Sequence, residues 1–195
     1  MGLLRKLRTR PVEALKIAGV WGFGLLLACL SRPCPLSFAW GVPLILIGLV
    51  IRSWAAGHLR RNEQLATSGP YAYLRDPLYL GRLFLLCGVA VVANNTVTYA
   101  LFAVGLIVFF LNYMPRKLKK ETARLEKCFG EQYTEYHRHV RSLIPRLRPY
   151  PKRSTQRWSF GIFRTENREQ WFILGAITLI GLMALKWWGV QEGWF

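Results

Sequence analysis

A polar loop between two apolar stretches carries the residues best suited to chemistry. Between His58 and Tyr79, hydroxyl, aromatic and charged side chains crowd together, and Asp76, the only aspartate of the chain, stands beside Arg75. A carboxylate beside an arginine at a membrane boundary is costly unless it is paired, which makes this pair a functional candidate. A structural interpretation is that Asp76 caps a helix beginning at Pro77. The two interpretations are compatible.

A second polar cluster lies in the basic stretch KLKKETARLEKCFGEQYTEYHRHVRSLIP. Its glutamates lie among many cations, and most are typical of helix-surface pairs that contribute a few tenths of a kcal/mol. Glu121 differs because it follows Pro115 by about one and a half helical turns. It therefore lies close to the end of an apolar stretch and can face the loop that carries Asp76. A plain surface charge is the alternative.

The histidines and cysteines do not predict a metal site. His137 and His139 are two residues apart on a predicted helix, so they point to different faces. The four cysteines, Cys29, Cys34, Cys87 and Cys128, form no CxxC pair. We therefore expect neither zinc nor a redox pair, and the cysteines are assigned to packing. The sequence also contains no credible Ser-His-Asp arrangement.

Long apolar stretches must position these residues. The 195-residue chain is 52% hydrophobic, yet its net charge is +17. The apolar residues are gathered into runs near the roughly 20 residues that cross a bilayer. The candidate spans are 14–30, 36–56, 78–93, 97–114 and 171–188. The sequence predicts an all-α polytopic membrane protein with about five transmembrane helices and a single domain over residues 1–195.

The positive charges predict an orientation. With the N-terminus in the cytoplasm, all of the 27 Lys and Arg residues except Arg32 and Lys186 fall on the cytoplasmic side, as the positive-inside rule requires. This orientation places the C-terminus outside. The first apolar run is interpreted as a retained helix, because no small-residue cleavage pattern follows Leu30. Spread around helix ends without a recognised motif, the cations do not indicate nucleic-acid binding.

The fourth span is followed by a predicted cytoplasmic amphipathic helix over residues 116–140. Gly130 in its middle predicts either a break or close packing. After Pro145 the chain is irregular and basic. Trp158, Phe160 and Phe163 are expected to anchor that segment at the level of the lipid headgroups.

Two motifs, in this order and spacing, resemble the isoprenylcysteine carboxyl methyltransferase family. The first motif is TSGPYAYLRDPLYLG, which is followed by a hairpin with Asn94 and Asn95 at its tip. The second motif is ETARLEKCFGEQYTEY, which ends with Val140 and the Ile144-Pro145 pair. Phospholipid N-methyltransferases are more distant relatives. The resemblance covers residues 52–145, about half of the chain, and leaves the last helix outside it.

The resemblance implies that S-adenosylmethionine binds between the loop and the amphipathic helix, in a pocket reached from the cytoplasm. The positions that it assigns to the cofactor are Leu65, Ala66, Tyr71, Asp76, Pro77, Tyr79 and Glu121. Lys117 stands near a family arginine that faces the substrate, and Arg75 is a second substrate-facing candidate. His58, just before the loop, is a further candidate for a cofactor contact.

This sequence departs from the family pattern at two positions. Asp76 replaces a family histidine, and Thr122 replaces the second of two adjacent glutamates. Histidine donates a hydrogen bond to the cofactor carboxylate, whereas an ionised aspartate only accepts. Asp76 therefore either accepts from the cofactor ammonium or has a raised proton affinity.

The acceptor is expected to be hydrophobic or lipid-like and to enter from the bilayer through a groove between the third and fourth helices. Because methyl transfer from a sulfonium needs mainly positioning, the acceptor atom cannot be read from the sequence. Two other functions stay open. A membrane reductase would bind the 2'-phosphate of NADPH with basic residues such as Lys117, Lys119 and Lys120. A non-enzymatic protein would bind anionic lipid through its basic face.

Overall fold

The computed structural model describes residue 19, residues 21–60 and residues 63–193. This part contains seven α-helices and no strand, which confirms the all-α prediction. The helices are α1 (Trp21–Leu30), α2 (Pro35–Ala56), α3 (Pro77–Ala93), α4 (Thr96–Val108), α5 (Met114–Phe129), α6 (Glu131–His139) and α7 (Glu169–Gln191). A 3₁₀ turn lies at Gly69–Ala72, and π turns lie at Phe109–Tyr113 and Ile162–Glu166.

Three helices are long and apolar enough to cross a membrane: α2, the continuous helix Thr96–Phe129, and α7. Large apolar side chains such as Trp40 and Leu111 cover their outer faces. A bilayer is the environment that such a surface requires, so the chain is an integral membrane protein. The helices α1 and α3 are apolar but shorter. The predicted count of five spans stays a prediction, and residues 14–18 and 20 of the first predicted span lie outside the described residues.

Facing glycines bring α2 and α3 into close contact. A Cβ atom on Gly48 would lie 2.6 Å from the carbonyl oxygen of Gly81, and one on Gly88 would lie 2.6 Å from that of Gly41. Small residues let two helix backbones approach closely, as is common between membrane helices. This pair forms the centre of the bundle.

The short connections meet at one end of the bundle. The Arg32 N–H donates to the Ala93 carbonyl (2.8 Å), and the Asn94 amide donates to the Arg32 carbonyl (3.1 Å). Asn94 ends α3 with a left-handed φ of 45°, a conformation that asparagine tolerates, and so forms the predicted hairpin. Lys186 of α7 donates to the Ser31 carbonyl at the same end (2.8 Å). The loop and the amphipathic helices lie at the opposite end.

The fourth predicted span and the amphipathic helix form one continuous helix. Pro115 has no N–H to donate, and its ring interferes with the carbonyl one turn earlier. The π turn at Phe109–Tyr113 widens the helix directly before this proline, so the helix runs on to Phe129. Of the two alternatives predicted at Gly130, a break or close packing, the structure shows the break, because Gly130 ends α5 and begins α6 with φ 52°.

Candidate functional site

A cavity of about 910 Å³, here called the polar cavity, opens at the end of the bundle that carries the loop. It lies between the loop, the first turns of α3, the helices α5 and α6, and the start of α7. The predicted cofactor and substrate positions that line it are Leu65, Ala66, Tyr71, Arg75, Asp76, Pro77, Tyr79, Lys117 and Glu121. The structure thus brings together two motifs that are about 45 residues apart in the chain.

Hydrogen bonds join the loop to α6 and to the segment that follows it. The Tyr136 hydroxyl, which is buried, donates to the carbonyl of Tyr71 (2.7 Å). The backbone N–H of Arg75 donates to the carbonyl of Arg141 (2.8 Å), and that of Asp76 donates to the carbonyl of Ser142 (3.0 Å). Since burial removes water as a competing partner, these bonds fix the loop against the helix.

The segment of residues 141–164, here called the strap, is irregular as far as Ser159 and runs back along the loop. The backbone N–H groups of Arg146 and Tyr150 donate to the carbonyls of Tyr73 (2.9 Å) and Ala72 (2.8 Å). Further along, the N–H of Ser154 donates to the hydroxyl oxygen of Thr67 (2.9 Å). The strap therefore holds the loop over most of its length.

Asp76 occupies the N-cap position of α3, as the structural interpretation predicted, but its side chain does not cap the helix. Instead its Oδ2 accepts a 2.6 Å hydrogen bond from the Ser142 hydroxyl and lies 3.7 Å from the Arg75 guanidinium. Burial raises the pKa of the Asp76 carboxyl, and the nearby Glu121 carboxylate adds to this, while Ser142, Arg75 and Lys117 oppose it.

Glu121 faces the polar cavity from α5 and is bracketed by two cations. Its carboxylate oxygens lie 3.8 Å from the Lys117 ammonium and 3.6 Å from the Arg124 guanidinium. The Lys117 ammonium also lies 4.0 Å from the centre of the Tyr79 ring, within the range of a cation–π contact. Tyr79, Lys117 and Glu121 therefore form one contiguous wall.

Thr122, which replaces the second family glutamate, also lines the polar cavity. Its hydroxyl lies 3.2 Å from that of Tyr133, and the two form a hydrogen bond. The position thus presents a neutral hydroxyl pair where a second carboxylate would add negative charge beside Glu121.

His58 does not line the polar cavity, unlike the other predicted cofactor contacts. Its ring is buried behind the loop, where Nδ1 forms a 2.9 Å hydrogen bond with the Ser68 hydroxyl. It packs so closely on Gly69 that a Cβ there would lie 2.4 Å from the ring. Burial lowers the pKa of His58, and a hydrogen bond to the backbone of Gln156 partly opposes this. The histidine supports the loop.

The wall formed by the start of α7 was missed in the sequence, because the last helix was placed outside the site. Arg52 Nε lies 2.5 Å from Glu169 Oε1, and both side chains are buried. The Arg52 guanidinium also lies 3.8 Å from the centre of the Phe172 ring. All three residues line the polar cavity. A charge inside the apolar stretch 36–56, and a carboxylate directly before the stretch 171–188, were the available signals.

A second, apolar cavity of about 240 Å³ lies between α1, α3 and α4. It occupies the position of the groove predicted between the third and fourth helices, with α1 as an additional wall. Tyr79 and Arg82 line both cavities. The two cavities are therefore neighbours, one polar and one apolar.

The residues around the polar cavity fit S-adenosylmethionine. The volume is within the range of about 300–1,000 Å³ found for ligand pockets. The carboxylates of Asp76 and Glu121 offer acceptors for ribose hydroxyls and an ammonium group. The ring of Tyr79 offers a face to a sulfonium or an adenine. Among the residues described, no group of three His, Cys, Asp or Glu side chains is placed to hold a metal.

Fold and cavities together define a class: a helical integral membrane protein with a cofactor-sized polar cavity at one end. The phospholipid methyltransferase family matches residues 36–132. The protein-S-isoprenylcysteine O-methyltransferase of Schizosaccharomyces pombe is 33% identical over 90 residues, covering 46% of this chain and 36% of that protein. The protein-S-isoprenylcysteine O-methyltransferase A of Arabidopsis thaliana is 34% identical over 118 residues. The match covers 54% of this chain and 58% of that protein. The chain belongs to the isoprenylcysteine carboxyl methyltransferase family, with phospholipid methyltransferases as relatives.

Similarity over a longer part of the chain is found with the cobalt-zinc-cadmium resistance protein CzcN of Cupriavidus metallidurans. The two are 30% identical over 148 residues, which is 75% of this chain and 66% of that protein. The chain thus spans about two thirds of CzcN, and it spans 36% and 58% of the two isoprenylcysteine methyltransferases above. No solved structure matches the chain.

Proposed function

We propose that this protein transfers a methyl group from S-adenosylmethionine to a small or lipid-like acceptor at the membrane. The observation that carries the proposal is that Asp76 and Glu121 line one cavity. The same cavity has a direct apolar neighbour, so a water-soluble donor and a membrane-soluble acceptor can meet at Tyr79 and Arg82. Membership of a methyltransferase family supports the same conclusion.

In this proposal the loop and α5 hold the cofactor, which supplies an activated methyl group on its sulfonium. The cofactor-binding residues are Leu65, Ala66, Tyr71, Asp76, Pro77, Tyr79 and Glu121. His58 supports the cofactor-binding loop from behind, because it forms a hydrogen bond with Ser68 and packs on Gly69. The protein's main contribution is to hold donor and acceptor in line and to exclude water.

The acceptor reaches the cofactor from the apolar cavity. Its hydrocarbon part lies between α1, α3 and α4, and its reactive end lies near Tyr79 and Arg82. Lys117 and Arg75 also line the polar cavity, and they would orient a polar or anionic end of the acceptor.

We also propose the five-span topology, with the N-terminus and the polar cavity in the cytoplasm. The dense Lys and Arg residues at the cavity end support this orientation. A variant that keeps Cys128 as its only cysteine tests it, because this exposed thiol lies at the end of α5. A membrane-impermeant maleimide should label it in inside-out vesicles and not in intact cells. Labelling in intact cells would reverse the orientation.

Ligand-dependent thermal stability of the detergent-purified chain tests the function. A ligand that prefers the folded state raises the unfolding temperature, and the rise grows with the logarithm of its concentration relative to its Kd. S-adenosylhomocysteine should raise it and NADPH should not. Glu121→Gln and Tyr79→Phe should each weaken the S-adenosylhomocysteine effect with little change in the unliganded protein. A shift with NADPH alone would favour a reductase.

The matched control for Glu121→Gln is Glu131→Gln on the exposed surface of α6. It removes the same charge and should leave the response to S-adenosylhomocysteine intact. If Glu121→Gln and Glu131→Gln respond equally, the polar cavity does not bind the cofactor through Glu121.

A further inference from the structure

The strap is the most one-sidedly charged segment of the described chain. Residues 141–164 contain seven Lys and Arg residues and no Asp or Glu. Lys152 pairs with Glu135 at 2.8 Å. Five other exposed cations of the strap have no carboxylate of the described residues within 4.0 Å, and these are Arg141, Arg148, Arg153, Arg157 and Arg164. Such a surface is complementary to anions.

Large apolar side chains stand among these cations. Ile144, Leu147, Trp158 and Phe160 are all exposed, with Trp158 at 44% and Phe160 at 60%. Basic residues interleaved with exposed aromatic and aliphatic residues are typical of a segment lying in the interface plane of a bilayer. A surface that only faced water would not expose this much apolar area.

The position of the strap puts it at the membrane boundary. The Trp158 indole N–H donates to the carbonyl of Ser53 (3.0 Å), and the Ser159 N–H donates to the carbonyl of Gly57 (3.0 Å). Both acceptors lie at the end of α2, a helix long enough to span the bilayer. Trp158 and Phe160 therefore lie where a membrane helix leaves the hydrocarbon.

We propose that the strap is a binding surface for anionic lipid headgroups and that occupancy of this surface orders the cofactor loop. Headgroup phosphates bind the five unpaired arginines, and the exposed apolar side chains enter the acyl boundary. The ordered strap restrains the loop through two backbone hydrogen bonds, from Arg146 to Tyr73 and from Tyr150 to Ala72. The lipid binding stands by itself, while its effect on the cofactor rests on the proposed function.

Thermal-shift titration of the detergent-purified full chain tests the lipid site. The probes are dihexanoyl phosphatidylglycerol, dihexanoyl phosphatidylcholine and inorganic phosphate. Phosphatidylglycerol should raise the unfolding temperature at a concentration at least tenfold lower than the phosphatidylcholine concentration that gives the same rise. Inorganic phosphate at the same concentrations should produce no shift. Equal responses to both lipids would overturn the proposal, and a full response to phosphate would replace the lipid by a free anion.

Two charge-removing variants sharpen this test. Arg157→Gln with Arg164→Gln should weaken phosphatidylglycerol binding about 25-fold, at about fivefold for each basic residue at an anionic surface. Lys127→Gln with Arg138→Gln removes the same charge from exposed positions on α5 and α6. This double variant should change the affinity for phosphatidylglycerol less than twofold. If both double variants lose binding equally, the effect belongs to net charge and not to the strap.

Nanodiscs test the coupling to the cofactor. The affinity for S-adenosylhomocysteine should be higher in bilayers containing phosphatidylglycerol than in pure phosphatidylcholine. Arg157→Gln with Arg164→Gln should abolish this difference. Headgroup binding without any S-adenosylhomocysteine binding would refute the proposed function and leave the lipid site intact. Cofactor binding that is equal in the two bilayers would refute the coupling alone.

Discussion

The Ser142 hydroxyl donates a 2.6 Å hydrogen bond to the carboxylate of Asp76, across 66 positions of sequence. It joins the strap to the start of α3 at the edge of the polar cavity. The carboxylate that stands at the N-cap position is therefore held from outside its own helix. Loop, helix and strap meet at this bond.

Replacing Ser142 by Ala should loosen the loop. The lost hydrogen bond leaves a partly buried acceptor without its donor, which costs about 1 kcal/mol. We expect a lower unfolding temperature and weaker binding of S-adenosylhomocysteine, both measured in detergent. Thr134→Ala is the control, because that hydroxyl only contacts the Gly130 carbonyl in its own helix. Equal behaviour of the two variants would show that the Ser142 bond does not hold the loop.

The raised pKa of Asp76 predicts a pH dependence of stability. The native carboxyl keeps its proton above the ordinary pKa of 3.8, so the native state binds more protons than the unfolded state in this window. The stability of the wild type should therefore fall relative to Asp76→Asn as the pH rises from 3.8 through the native pKa, and then level off. Unfolding temperatures of both proteins between pH 4 and 8 measure this. If the wild type instead became more stable relative to Asp76→Asn as the pH rises, the Arg75 charge would have a larger effect on the Asp76 pKa than burial.

The buried pair of Arg52 and Glu169 should be sensitive to the loss of one partner. Glu169→Gln leaves the guanidinium buried without its counter-charge, a change that costs about 3–5 kcal/mol in protein interiors. Replacing both residues by Met should recover much of this loss. Unfolding temperatures of the single and double variants provide the measurement. A single variant as stable as the wild type would show that water reaches the pair.

The glycine contact between α2 and α3 predicts a position-specific effect. Gly48→Ala puts a Cβ 2.6 Å from the Gly81 carbonyl, so the helices must separate and stability should fall. Gly181→Ala in α7 meets nothing within 4 Å and should be neutral or slightly stabilising, because alanine favours helix. The unfolding temperatures of these two variants compare the same substitution at a close helix contact and at an open position. Similar losses in both would contradict close packing of α2 on α3.

The sequence by itself determined the helices and most of the candidate residues around the polar cavity. Apolar runs over 36–56 and 78–93 predicted α2 and α3 within one or two residues, since run length and composition alone decide whether a segment crosses hydrocarbon. The break at Gly130 and the turn at Asn94 were local signals of the same kind. The loop around Asp76 could be found because polar residues are costly at a membrane boundary.

Only the tertiary structure decided how these parts meet. Glu169 joins the polar cavity and His58 falls behind the loop, because packing geometry and not residue type decides which side chain faces a cavity. The Ser142 bond to Asp76 and the strap's bonds to Ala72 and Tyr73 link distant segments of irregular backbone, which has no periodicity to read. The sequence predicted the fourth span, 97–114, and the amphipathic helix, 116–140, as separate elements. A π turn before Pro115 instead lets one helix run on to Phe129, and that adjustment exists only in three dimensions.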